Sequence, residues 1–144
     1  MKIKIINKSN NPLPSYESES SAGMDLKAFT SNDITINPLE RTIIKTGLFM
    51  SIPIGYEGQV RSRSGLSIKH GVCVLNSPGT IDSDYRGEIG VILINLSNDP
   101  FVISSGDRIA QLVIAKHDQG EWIEVNELEL TKRGDKGFGS TGLK

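Results

Sequence analysis

No segment of this chain sustains a long helical period. Short apolar stretches rich in branched residues recur instead, at 34–36, 41–45, 48–52, 59–63, 101–103, 109–115 and 122–125. Asn-Pro, Gly and Asn-Asp-Pro separate them. Branched side chains crowd a helix but pack well on a pleated surface, while Gly, Pro and Asn supply turn geometry. Many short strands broken in this way predict an all-β barrel or sandwich. Lys2-Ile3-Lys4-Ile5 alternates polar and apolar residues as a half-buried strand does, and Pro12 and Pro14 then end regular structure. One short helix is expected over 64–69, opening on Ser64 as N-cap and stopping before Gly71.

At 144 residues the chain is long enough for one domain with its own core. A net charge of −1 argues against a general nucleic-acid binder, which would carry a basic excess. The lone Cys73 lies between valines, so an internal disulfide is impossible and a buried structural thiol is expected. No Cys/His spacing suggests zinc. No apolar run approaches the ~20 residues of a membrane helix, and the N-terminus has no signal-like core. A soluble, cytoplasmic protein without a membrane partner is expected. Residues 132–144 are rich in Gly, Ser, Thr and Lys, with Phe138 as the one aromatic. That composition predicts a mobile tail after a domain spanning 1–131.

The densest chemistry lies in Gly79-Thr80-Ile81-Asp82-Ser83-Asp84-Tyr85-Arg86-Gly87-Glu88. Apolar β-formers flank it, at 72–75 and 89–94, so it reads as the connection of a hairpin. In strand spacing Asp82 and Asp84 would share one face, and Ile81 and Ser83 the other. A carboxylate pair beside a tyrosine is costly in a core but useful in a cleft that holds a nucleotide and a water. Taken alone, the same residues describe an acidic loop in solvent.

Four other stretches supply what such a cleft would lack, although each has a plain structural reading too. Ala22-Gly23-Met24-Asp25-Leu26 puts a carboxylate at a strand start, where it could hold Mg²⁺ through water or serve an ordinary turn. Arg61-Ser62-Arg63-Ser64-Gly65-Leu66 precedes the helix, and its guanidinium, hydroxyl and amides suit an anion as well as a capped helix. Gly106-Asp107-Arg108-Ile109-Ala110-Gln111-Leu112 runs from a turn into a strand, from which Gln111 could reach a phosphate. Residues 133–142 offer amides, two hydroxyls and a cation for phosphates, with Phe138 shaped to stack on a base. His70 and His117 stand apart from all of these.

In order and spacing, the five stretches resemble the signature motifs of the homotrimeric deoxyuridine triphosphatases, and the resemblance covers nearly the whole chain. Each motif alone is weak; five in order are specific. One departure precedes the first motif, where Ser20 stands in place of a common glycine, with Glu17 nearby.

The resemblance implies a distorted jelly-roll-like β-barrel with a flexible C-terminal tail, assembled as a trimer with sites shared between subunits. It implies that Asp82 orients and deprotonates the water that attacks the α-phosphorus of dUTP. Tyr85 would pack against the deoxyribose and exclude a 2′-hydroxyl, and Asn76 would pair with the uracil edge. Arg63, Ser64, Gly65 and Gln111 would contact phosphates, and Asp25 would hold Mg²⁺ through water. Arg133, Gly139, Ser140 and Thr141 would close over the γ-phosphate while Phe138 stacks on uracil. Asp84 receives no catalytic role. Two rival expectations are a dCTP deaminase of the same fold and a non-catalytic nucleotide-binding module. The tail and the intact Asp82 favour dUTP hydrolysis over both.

Overall fold

A computed structural model of the chain describes residues 1–137. Eleven strands and one helix succeed one another: β1 (Lys4–Asn7), β2 (Gly23–Lys27), β3 (Ile34–Ile36), β4 (Arg41–Lys45), β5 (Leu48–Ser51), β6 (Tyr56–Arg61), α1 (Ser64–His70), β7 (Val72–Val74), β8 (Gly79–Ile81), β9 (Gly90–Asn95), β10 (Phe101–Ile103) and β11 (Arg108–Lys116). The all-β expectation holds, and most of the apolar stretches read from the sequence are strands.

The strands pair as four sheets, ordered β1-β5, β10-β3, β2-β11-β6-β8 and β4-β9-β7, and every recorded pairing is antiparallel. Alternation turns one face of each strand inward. In β9, Val91, Leu93 and Asn95 are buried while Gly90, Ile92 and Ile94 are partly exposed. Leu26, Ile36, Ile44, Leu93, Ile103 and Ile109, drawn from six strands, are almost wholly excluded from solvent and pack in one cluster. The buried side-chain amide of Asn95 is fully engaged: it donates to the Ile36 and Asp99 carbonyls and accepts from Ser97. Burial therefore leaves it no unmet polar atom.

Four local expectations need correction. The helix begins at Ser64 but Arg63 is its N-cap, with extended φ and ψ of −92° and 125° and no side-chain cap, so Ser64 is the first helical residue. At the other end Gly71 takes the left-handed φ of 64° that stops the helix. β7 and β9 do pair, with Val74 opposite Leu93, yet the connection between them is no tight hairpin. It contributes β8 to a different sheet, and the Tyr85 amide then bonds to the Asp82 carbonyl at 3.1 Å, closing a β-turn. Asp82 and Asp84 thus sit in a turn, where strand alternation has no meaning. Cys73 is half-buried, because it faces outward between Val72 and Val74.

Residues 122–125 are not a strand, and Trp122 is 98% exposed. A strand needs a neighbour for its amides and carbonyls, and among the described residues no strand pairing reaches beyond Lys116. The exposure extends through Ile123, Val125, Leu128 and Leu130. No helix among the described residues is long and apolar enough to cross a membrane.

Candidate active site

The four-stranded sheet aligns three motifs in one row. Asp25 on β2 lies opposite Gln111 on β11, which lies opposite Arg61 on β6. Neighbouring residues Leu26, Ala110, Leu112 and Val60 face the core, so Asp25, Gln111 and Arg61 share the outer face. Gly23, one pleat away on β2, leaves space that the Gln111 amide occupies, since a Cβ on it would overlap that amide. With that space open, Gln111 donates Nε2–H to the Ser62 carbonyl at 2.9 Å. The Ser62 hydroxyl in turn accepts the Val74 amide at 2.9 Å, which ties the approach to α1 onto β7.

Arg63 leaves this row in extended conformation and turns its guanidinium back over the sheet. Its Nε donates to Asp25 Oδ1 at 2.8 Å and its Nη1 to the Arg108 carbonyl at 3.0 Å. Arg108 donates its own Nη1 to Asp25 Oδ2 at 3.2 Å. Asp25 is only 17% exposed and so is held between two cations. Ser64 and Gly65 open the adjacent helix and are exposed, with open space where a Gly65 Cβ would be. Arg108 is the residue that sequence reasoning missed. It stood inside the fourth motif, but only the fold reveals that it meets Asp25.

Asp82 and Tyr85 belong to a second cluster. Together with Thr80, Ile81, Glu88 and Gly90 they line an open cleft of about 210 Å³. Arg86 closes the turn beneath them, donating Nη1–H to the Ser83 carbonyl at 2.7 Å and to the Tyr85 carbonyl at 2.8 Å. The Tyr85 hydroxyl donates to the Glu88 carbonyl at 3.1 Å. Asn76 lies exposed in the turn after β7, its amide beside Gly79, where a Cβ would approach Nδ2 to 3.0 Å.

The two clusters are far apart within one chain. Ile81 pairs with Gly58, three residues along β6 from Arg61, and β8 lies three strands from β2. At ~3.3 Å per residue and ~4.8 Å per strand, Ile81 and Asp25 are separated by roughly 17 Å, and Asp82 follows one residue farther from the Asp25 row. Arg133 joins neither cluster through a recorded hydrogen bond; its Nε donates to the Lys136 carbonyl at 2.9 Å, within its own exposed turn. Phe138, Gly139, Ser140 and Thr141 lie outside the described residues.

Among the described residues no three carboxylate, His or Cys side chains converge as a metal cage. A single carboxylate between two guanidiniums does not strip water from Mg²⁺. It does suit the hydrated face of a Mg²⁺ that arrives on phosphate oxygens.

Comparison with known proteins adds identity to this geometry. The family model described as dUTPase matches residues 9–142. The deoxyuridine 5′-triphosphate nucleotidohydrolase of Finegoldia magna is 61% identical over 142 residues, covering 99% of each chain. A variant of the dUTPase of Staphylococcus bacteriophage 80alpha, solved with dUpNHpp, superposes with a TM-score of 0.89 at 28% identity over 99% of each chain. A variant dUTPase of phage phi11 of S. aureus, described with a structural Mg(II) ion, has a TM-score of 0.80 at 26% identity, over 90% of this chain and all of that one. The sheet arrangement is thus the jelly-roll-like one of these enzymes. With a match across nearly its whole length and a relative this similar from end to end, the chain belongs to the dUTPase family.

Proposed function

We propose that the chain hydrolyses dUTP to dUMP and pyrophosphate, limiting uracil incorporation into DNA and supplying dUMP for thymidylate synthesis. The observation that carries this reading is the shared cleft of Asp82 and Tyr85, a carboxylate and a flat ring held in one open turn. The name of the Finegoldia relative supports the same substrate.

Asp82 orients a water and takes its proton as the water oxygen attacks the α-phosphorus. The bond from that phosphorus to the α,β-bridging oxygen breaks, and pyrophosphate leaves with the oxygen. Tyr85 packs on the deoxyribose and leaves no room for a 2′-hydroxyl, while Asn76 meets the uracil edge. Arg63, Ser64, Gly65 and Gln111 receive phosphates, a fit supported by their convergence beside the start of α1. Arg133, Phe138, Gly139, Ser140 and Thr141, in a tail spanning 132–144 after the 1–131 domain, complete the site over base and γ-phosphate. Mg²⁺, when bound, neutralises triphosphate charge and fixes its conformation, with Asp25 as the residue that holds its waters.

The enzyme is a homotrimer whose sites are shared between copies. Two observations support sharing: the separation of Asp82 from the Asp25–Gln111 row, and the unpartnered apolar arm containing Trp122, Ile123, Val125, Leu128 and Leu130. Apolar surface of that extent on a polar arm marks a contact with another chain. A substrate drawn from the deoxynucleotide pool is consistent with a cytoplasmic enzyme.

The test is pyrophosphate release from dUTP with Mg²⁺, against dTTP, dCTP and UTP. Release from dUTP well above all three controls is expected. Equal turnover of UTP would overturn the assignment, and ammonia release from dCTP would replace it with a deaminase.

A further inference from the structure

Glu88 lines the cleft beside Asp82 and Tyr85, and it bears on the Tyr85 ring through its own backbone. Its carbonyl accepts the Tyr85 hydroxyl at 3.1 Å, so the Tyr85 ring is fixed only as well as that carbonyl is fixed. Three hydrogen bonds to the β4–β5 connection and the first residue of β5 hold the segment. The Gly47 amide donates to Glu88 Oε1 at 2.9 Å, the Thr46 hydroxyl donates to the Ile89 carbonyl at 2.7 Å, and the Ile89 amide donates to the Leu48 carbonyl at 2.8 Å. Thr46 and Ile89 are buried, which makes this end of the clamp rigid. Gly47 reaches Glu88 in a left-handed conformation, φ 71°, that most residues avoid. Lys45 also approaches Glu88 Oε2 at 3.8 Å, but its side chain is largely exposed and contributes little. On the other side, Gly87 leaves open the space that the Tyr85 hydroxyl fills, and a Cβ there would overlap it.

We infer that the Glu88 carboxylate is a positioning residue for sugar selection, fixing the Tyr85 ring through the Gly47 amide while Gly87 leaves that ring its place. The inference rests on the reading of Tyr85 as the wall of the deoxyribose pocket. The Ile89 amide anchors one side of the peptide unit that carries the Glu88 carbonyl. Without the carboxylate the segment loses its tie to Gly47 on the other side, the ring's stop loosens, and a 2′-hydroxyl gains room.

The experiment compares kcat/KM for dUTP and UTP in five forms of the full-length enzyme. Wild type comes first: if it does not prefer dUTP, the functional reading fails before Glu88 is in question. Glu88→Ala is expected to lower the dUTP/UTP ratio of kcat/KM about tenfold, mostly by raising UTP turnover. Glu88→Gln, whose amide oxygen still accepts the Gly47 amide, is expected to keep the wild-type ratio. Tyr85→Ala lowers the ratio by itself, and adding Glu88→Ala to it is expected to change the ratio no further, since residues acting through one group are not additive. A purely structural Glu88 would lower both substrates equally and would depress the double variant again, and either result overturns the inference. So does an unchanged ratio in Glu88→Ala. If Glu88→Ala does not fold, Gly87→Ala takes its place, because its methyl group displaces the ring directly; an unchanged ratio there overturns the inference as well.

Discussion

Asp25 and Arg63 lie 38 positions apart in the chain, yet Arg63 Nε sits 2.8 Å from Asp25 Oδ1. The contact joins the first motif to the second, and Arg108 reaches the other carboxylate oxygen from the fourth. One carboxylate therefore orients two guanidiniums at the place assigned to the triphosphate. Neither guanidinium is fully buried, so the arrangement is worth more as orientation than as stability.

Asp25→Asn removes that orienting charge while keeping size and one acceptor. Stability should fall by about 1–3 kcal/mol, because two charge-assisted hydrogen bonds to a mostly buried carboxylate are weakened. KM for dUTP should rise at least tenfold, and the Mg²⁺ concentration for half-maximal rate should rise with it. Urea unfolding together with a Mg²⁺ titration of initial rates checks both parts. A Mg²⁺ requirement left unchanged would separate Asp25 from the metal.

Asp82→Asn should abolish turnover with dUTP binding largely intact, since an amide cannot take the water's proton. General bases contribute on the order of 10²–10⁴ in rate. Asp82 is not the base if the variant keeps a tenth of wild-type kcat while binding a non-hydrolysable analogue normally.

Gly23→Ala tests why the first motif carries a glycine. The new methyl group would overlap the Gln111 amide and drive it off the Ser62 carbonyl. The amide can swing away, so the cost is that of the lost hydrogen bond, about 0.5–1.5 kcal/mol. Gln111→Ala loses the same bond, so Gly23→Ala/Gln111→Ala should melt close to Gln111→Ala alone, without regaining activity. A double variant well below Gln111→Ala in melting temperature would place the clash elsewhere.

Strand positions were legible because their signals are local. The 34–36, 41–45 and 101–103 stretches are strands at those bounds, each set by branched residues between turn formers. The 122–125 stretch carries the same signal and is no strand, because pairing depends on a neighbour that composition cannot supply. The motif residues were legible as a set, but their division into an Asp25–Arg63–Gln111 cluster and an Asp82–Tyr85 cluster was not. That division follows from sheet order and register, which are non-local. Arg108 was invisible for the same reason: its partner Asp25 lies 83 positions away.

The distance between the two clusters yields the last prediction. If each site takes Asp82 from one copy and the Asp25–Arg63–Gln111 group from another, two dead variants can repair each other. Asp82→Asn lacks the base but keeps the phosphate group. A variant carrying Arg63→Ala and Gln111→Ala lacks the phosphate group but keeps the base. In mixed trimers formed by co-expression or joint refolding, a site is whole when its phosphate side comes from the first variant and its base from the second. For random assembly at equal amounts, about one site in four meets that condition, so roughly a quarter of wild-type activity should return. Each variant assembled alone should stay inactive, and simple mixing without subunit exchange should recover nothing. Light scattering on the mixture should give the mass of three chains. A co-assembled trimer with no recovered activity would mean that Asp82 and Arg63 of the same chain serve the same site, which their spacing along the sheet argues against.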